Sequence, residues 1–435
     1  MVILMIFYFA LLSLFFFKRE TFAYLFIIMT VFCSILWFSI LPSFPLEELW
    51  FLGLITLSFI LVFEVSFENS LDIQFLKFLV WLGSSIIILS SNLIMIYIGL
   101  ELQTFSLFVL ISKNKGFIKS SESGLKYFIL GALSSGFFLV SIISLFHYYN
   151  CIDLKLLTSL YNSDYYFYIF LFLLMLSLLF KLSLFPLHFW IPDIYEGSSS
   201  DVISIIATLP KISIIFLIMK LALPFSFLLW SGILSIIVGC LGALNQTKVK
   251  RLLAYSSITH LGFVGVGLSL FGEIGIELGL IYFLIYIINS LGLLFLLIQY
   301  KNQEEIYVIE LSGLQFSTWL WAFLWVVIFF SVAGLPPLFG FLGKWWIITN
   351  LINYDYIFIS FLVILFSCIS IAFYLRIGKI IYFEKSYSYL MWKSILINNQ
   401  KLYSGIYIVS LLCFFCIFSV IIPELYSSVI CLFKI

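Results

Sequence analysis

Residues 180–199, FKLSLFPLHFWIPDIYEGSS, decide how this chain is read. The apolar run that leads into them carries a lysine, Lys181, then Pro186 and His188. An unpaired ammonium at mid-bilayer costs at least ~2.5–3.5 kcal/mol on insertion scales, so it is rarely left there without a partner or a task. Proline withholds a backbone donor and interrupts a helix, which lets water or polar groups approach the freed carbonyls. The same pairing recurs at 333–346, AGLPPLFGFLGKWW, where Lys344 follows Pro336 and Pro337. It appears a third time at 201–220, DVISIIATLPKISIIFLIMK, where Lys211 directly follows Pro210. Lone buried charges beside helix breaks mark a proton or ion path.

Working outward, the whole composition belongs to lipid. Of 435 residues, 64% are hydrophobic and only 10% charged, against roughly 25% charged in a soluble domain. Apolar runs consume the length and leave no room for a soluble catalytic domain. The net charge of +1 gives no bulk attraction for nucleic acid. The first twenty residues lack the basic region and cleavage site of a signal peptide and read as a first membrane helix. There is no phosphate-binding loop, no dinucleotide fingerprint and no metal-ligand cluster. Cys413 and Cys416 spell C-x-x-C inside LLCFFCIFSVII, which reads as small apolar packing rather than a redox or zinc site.

A crossing helix needs about 20 apolar residues. Segmenting at charges, prolines and loop signals predicts an all-α polytopic membrane protein of fourteen spans: 2–17, 21–41, 49–67, 73–91, 93–112, 124–146, 165–189, 201–223, 225–243, 251–270, 274–299, 316–350, 356–381 and 403–428. With the N-terminus outside, the inward loops hold fourteen Lys/Arg and the outward segments three, namely Lys155, Lys220 and Lys434. That asymmetry obeys the positive-inside rule and places both termini outside. Spans seven and twelve are interrupted and lie five spans apart, which fits two inverted five-helix repeats, spans 4–8 and 9–13. The expected organisation is 1–72, three N-terminal spans; 73–223 and 224–381, the two repeats; and 382–435, a loop with room for an interfacial helix, then the last span.

Further polar residues inside the spans are candidates for the path. Glu101, in SNLIMIYIGLELQTFSLFVLI (91–111), wants a cationic partner, and Lys181 lies at similar depth. A static pair that fixes packing is the plainer alternative. Glu122 and Lys126 are an i,i+4 pair near the start of span six, either interfacial or placed for proton entry. His188 and His260 titrate near neutrality and can pass protons or simply pack. If helical, His188 would lie two turns, roughly 10 Å, from Lys181, and His260 has Ser256, Ser257 and Thr259 nearby. Lys77, Lys220, Glu64 and Glu68 read as span-end residues, the lysines snorkelling to the interface.

These stretches resemble the antiporter-like family shared by respiratory complex I and the multi-subunit cation/proton antiporters. FKLSLFPLHFWIPDIYEGSS is similar to that family's seventh helix, and LLAYSSITHLGF (252–263) and AGLPPLFGFLGKWW to its tenth and twelfth. The resemblance covers about residues 90–350. It implies fourteen helices, paired inverted repeats, broken helices seven and twelve, and a lateral chain of buried charges formed by Glu101, Lys181, Lys211 and Lys344. A lysine rather than a glutamate at 344 sets the chain apart from the subunit 4 type. The complex I branch implies coupled proton translocation, with NADH, FMN, iron–sulfur clusters and ubiquinone bound by other subunits and no cofactor in this chain. It implies neighbours of the subunit 4 and 4L types, accessory subunits and lipids as partners. The Phe- and Ile-rich composition, with 51 Phe, fits an AT-rich organellar genome and an address in the mitochondrial inner membrane, with a bacterial homologue as the alternative. A cation/proton antiporter subunit and a scaffold with inert ancestral charges are the competing readings.

Overall fold

The computed structural model describes residues 46–384, apart from 66–69, 115, 151, 160–164, 222–224, 271, 299–305 and 313–318, together with Ser410. Expected spans 1 and 2, span 14 apart from Ser410, and the pair Cys413–Cys416 lie outside the described residues, as do the side chains of Glu64 and Glu68.

The third to thirteenth expected spans fall on helices. They are α1 (Leu46–Val65), α2 (Leu71–Leu89), α3 (Leu93–Ile111), α4 (Ile118–Tyr149), the short α5 (Leu154–Ser159), α6 (Tyr165–Leu182), α7 (Trp190–Gly197), α8 (Ser200–Leu221), α9 (Phe225–Leu244), α10 (Val249–Leu268), α11 (Gly272–Ile298), α12 (Trp319–Ala333), α13 (Phe339–Asn353) and α14 (Ile357–Phe383). Seven of these are long and apolar enough to cross a membrane by length and composition. Among the described residues the only β pairing is two isolated bridges, Asn92 with Asp153 and Lys248 with Tyr307.

Both expected breaks are present, α6–α7 and α12–α13. They are built alike. A residue in the left-handed region, Ser183 (φ 61°) or Gly334 (φ 80°), ends the first half, and Pro186 or Pro337 follows three residues later. In each case the chain leaves the helix where its backbone groups need new partners. At the first break the indole of Trp190 supplies one by donating to the carbonyl of Phe180 at 2.9 Å.

Pro210 behaves differently from the expectation. Helix α8 runs through it without interruption. Proline removes one hydrogen bond there, but packing on all sides holds the helix together: 94% of its apolar window is buried. Lys77 also departs from its expected role, because it does not snorkel. Helix α2 begins six residues earlier and packs against α1, α3 and α8, leaving Lys77 1% exposed.

Burial sorts the helices. α8 and α11 are the central pair, whereas α4 and α14 lie at the periphery, with only 39% and 28% of their windows buried. Helices α9 and α10 approach backbone to backbone, since a Cβ on Gly262 would meet the carbonyl of Gly232 at 2.8 Å. Successive spans alternate in direction, so polar contacts collect at two ends. At one end Lys220 donates to Glu48 Oε1 at 2.7 Å and to the carbonyl of Ile88 at 2.8 Å. The other end carries α7 and a larger ion cluster.

Candidate functional site: a buried charge line

Each buried lysine has a different environment, set by the helix that carries it. Lys211 sits on central α8 and is 1% exposed. Its Nζ donates to the Tyr286 hydroxyl of α11 at 2.8 Å and lies 5.1 Å from that ring's centroid. The phenol oxygen thus offers its lone pair to the ammonium. Lys344, 6% exposed, reaches back across the second break and donates to the carbonyl of Ala333 at 2.6 Å. A cation at the carbonyl end of a half-helix satisfies an orphan acceptor and complements the helix dipole.

The charges of both Lys211 and Lys344 reach the ring of His260 on α10. Its Nδ1 shares a 2.8 Å hydrogen bond with the Tyr282 hydroxyl, and its ring lies 6.1 Å from that of Tyr286. Tyr282 in turn packs against Gly343, next to Lys344. Two tyrosines one helical turn apart on α11 therefore bracket the histidine and link it to both lysines.

Lys181 lies in the last turn of α6 and is 8% exposed. The charge of Glu101 acts on it, yet no ion pair closes between the two, and Lys181 Nζ has no hydrogen-bond partner among the described residues. Glu101 is half-buried; its Oε2 accepts from Thr104 Oγ1 at 3.2 Å, and Tyr97 and Tyr127 lie within reach of its charge. His188 is buried, but it sits in the non-helical segment after α6, not two helical turns from Lys181. Its ring packs between Phe185 and Phe189. The proline-bearing sequence removed the helix on which that spacing depended.

Glu122 and Lys126 do form an ion pair, at 2.7 Å. Both are exposed at the α7 end of the bundle, where Lys126 also pairs with Asp193 at 2.7 Å. Beside them Glu196 binds Lys119 at 2.6 Å, Lys248 at 2.7 Å and Arg251 at 3.2 Å. Burial alone would raise the Glu196 pKa, but the hydrogen bonds and charges of Lys119 and Lys248 outweigh it and hold the carboxyl below its ordinary range. This cluster clamps α7 to α4 and α10. Asp193 and Glu196 were legible as residues but not as partners, because α7 had no assigned helix from which to project them.

Tyr195, Tyr282 and Tyr286 complete the site. Nothing in the sequence distinguishes them from packing aromatics until the fold sets the Tyr286 hydroxyl on Lys211 and the Tyr282 hydroxyl on His260. Among the described residues, no group of His, Cys, Asp and Glu side chains is placed to hold a metal ion.

The charge line lies within a region that other proteins share. Residues 90–371 match the family described as "NADH:quinone oxidoreductase/Mrp antiporter, TM". The chain belongs to this family. One relative, NADH-ubiquinone oxidoreductase chain 2 of Metridium senile, is 37% identical over 336 residues, which is 75% of this chain and 87% of the relative. NADH-quinone oxidoreductase subunit N of Pelagibacter ubique is 37% identical over 316 residues, or 70% of this chain and 67% of that protein. The fold matches a chain in the structure "Respiratory complex I from Thermus thermophilus with bound Aureothin", with a TM-score of 0.83 at 23% identity, covering 98% of this chain and 99% of that one. Glu101, Lys181, Lys211, His260 and Lys344 all fall inside the family region.

Proposed function

We propose that this chain is a proton-translocating membrane-arm subunit of an NADH:quinone oxidoreductase, of the subunit 2 or N type. The observation that carries the reading is that Lys211 and Lys344 are both buried, each held by one hydrogen-bond acceptor inside the bundle, and both near enough to His260 for their charges to act on its ring. Buried ionisable groups of this kind are retained in membranes for charge movement. The curated relatives named as chain 2 and subunit N supply the complex.

In this reading, quinone reduction elsewhere in the complex shifts the charges along the membrane arm. NADH, FMN, the iron–sulfur clusters and ubiquinone belong to other subunits, and this chain supplies the proton path. Glu101 and Lys181 act as the separable pair whose opening and closing recruits or releases a proton. Lys211 carries charge along the midplane through Tyr286, and Lys344 connects to the outer side or the next subunit. Because charges interact over longer range in a low dielectric than in water, a proton gained at one lysine changes the energy of the next.

The finer organisation belongs to the same proposal. Segments 73–223 and 224–381 are inverted five-helix repeats, flanked by 1–72 and 382–435, in a fourteen-helix chain. The like construction of the two breaks supports that pairing. The ion cluster at the α7 end joins loops that the positive-inside rule places inward, which supports both termini facing the intermembrane space of a mitochondrial inner membrane. Subunits of the 4 and 4L types, accessory subunits and lipids are the expected neighbours.

Replacing Lys181 with alanine tests the reading in the assembled complex. Proton translocation falls while assembly persists; full translocation with normal assembly overturns Lys181's part. The family description also names antiporters. Sodium-dependent transport with no NADH dehydrogenase copurifying would select that alternative.

A further inference from the structure

Helix α8 carries Pro210 directly before Lys211. A proline withholds the N–H that would reach the carbonyl four residues earlier, here that of Ile206, and its ring presses on the same turn. The backbone that sets the direction of Lys211 is therefore weakened within its own helix and gains from support outside it.

That support comes from α3. The Ser213 hydroxyl donates at 2.9 Å to the carbonyl of Pro210, which belongs to the peptide joining Pro210 to Lys211. The same hydroxyl oxygen accepts from Gln103 Nε2 at 3.3 Å, across 110 positions of sequence. Gln103 and Ser213 are 2% and 0% exposed, so solvent does not compete for either bond. Because Gln103 donates to the oxygen, the hydroxyl proton is left to point at Pro210, and the two bonds polarise each other.

The amide is held in a slot. A Cβ on Gly83 of α2 would meet Gln103 Cγ at 2.7 Å and the carbonyl of Gly99 at 2.8 Å, so the glycine leaves the space that the glutamine fills. Helix α8 packs against both α2 and α3 at this junction. Ordering a long polar side chain costs rotamer entropy that a short apolar residue would not incur, so its hydrogen bond has to return something.

Helical geometry shows what is returned. Residues two apart on a helix project roughly 200° from each other. Lys211 and Ser213 hence leave opposite sides of α8, Lys211 towards Tyr286 of α11 and Ser213 towards Gln103 of α3. On α3 the same spacing turns Glu101 away from Gln103. The helix that carries Glu101 thus braces the helix that carries Lys211 through neutral groups.

We propose that Gln103 is a positioning residue, which braces the Pro210–Lys211 peptide through Ser213 and so keeps Lys211 Nζ on the Tyr286 hydroxyl. The inference rests on the proton-translocating reading and deepens it. Gln103 carries no proton itself; its hydrogen bond to Ser213 is the same before and after each transfer.

The test uses the assembled complex in vesicles. Gln103→Met keeps the length of the side chain and removes the amide. Proton transfer through this chain should slow by roughly 2- to 10-fold, the scale of one neutral hydrogen bond. Protons translocated per NADH oxidised should fall, with the apparent KM for quinone unchanged. A role confined to packing would lower the amount of complex but leave that ratio normal in the complex that remains, and a normal ratio overturns the proposal. Ser213→Ala should lower the ratio to a similar degree, and combining it with Gln103→Met should lower it no further, because both break one chain. Additive losses overturn the proposal. Should Gln103→Met not assemble, Ser213→Ala decides alone, a normal ratio again overturning it. Lys211→Met, measured alongside, separates the two levels. A defective Lys211→Met with a normal Gln103→Met removes only the brace, whereas a fully active Lys211→Met removes the translocation reading itself.

Discussion

Lys344 closes the second helix break: its Nζ donates at 2.6 Å to the carbonyl of Ala333, the last residue of α12. The next residue, Gly334, has φ +80°, and a Cβ there would meet Lys344 Cδ at 2.9 Å and Nζ at 3.1 Å. The left-handed backbone and the ammonium occupy the space that any side chain would need. Gly334→Ala should therefore cost about 1–2 kcal/mol for the backbone alone and push Lys344 off its carbonyl. The expected outcome is a lower thermal midpoint of the complex together with reduced proton yield. Gly136→Ala is the control, because that helical glycine has open space around it; it should be neutral or stabilising by up to about 1 kcal/mol.

Tyr286 should matter as much as the lysine it holds. Tyr286→Phe keeps the ring under Lys211 but removes the hydroxyl that accepts its proton. Hydrogen bonds to charged groups contribute about 1.5–3 kcal/mol. Proton transfer at Lys211 should accordingly change by roughly 10- to 100-fold, measured as acidification rate by the reconstituted complex. Wild-type rates would show that the hydroxyl is a packing detail.

The clamp on α7 carries a definite pH dependence. Glu196 is held below the usual carboxyl range, so its contribution to stability is fully present above the unfolded value of about 4.3 and is lost as pH falls through the lower folded value. Hydrogen exchange in α7 should be insensitive to the Glu196 carboxylate between pH 5 and neutrality, and opening should rise only below about pH 4. Glu196→Gln should raise opening at neutral pH and abolish that acid limb. Loss of protection at pH 6 in the wild type would contradict the assignment.

At the opposite end, Glu48 and Lys220 form a pair with side chains only 11% and 19% exposed. Glu48→Gln removes the carboxylate charge opposite Lys220 and leaves it only neutral acceptors, the Ile88 carbonyl and the new side-chain amide oxygen. The expected loss is about 1–3 kcal/mol in stability, read by thermal unfolding, with protons per NADH unchanged because neither residue touches the charge line.

The sequence displayed its breaks and its charges but not the groups that hold them. Pro186 and Pro337 announced α6–α7 and α12–α13 because proline acts locally. Pro210 misled because its effect depends on how tightly the surrounding helices hold α8. Lys77 misled for a related reason, since snorkelling requires lipid or water at the span end and the fold puts helices there. Tyr286 is 75 positions from the lysine it binds, and no local pattern encodes a contact across that separation. The same holds for Glu196, whose three cationic partners come from the first turn of α4 and from the start of α10. Local chemistry was readable; the pairing of helices that gives it meaning was not.

The central claim is that Lys211 carries translocated protons. It is tested most directly by protons moved per NADH oxidised in vesicles containing the assembled complex with Lys211→Met. A substantial fall in that ratio, with the complex intact, is the predicted result. An intact complex that translocates the wild-type number of protons per NADH would contradict the account.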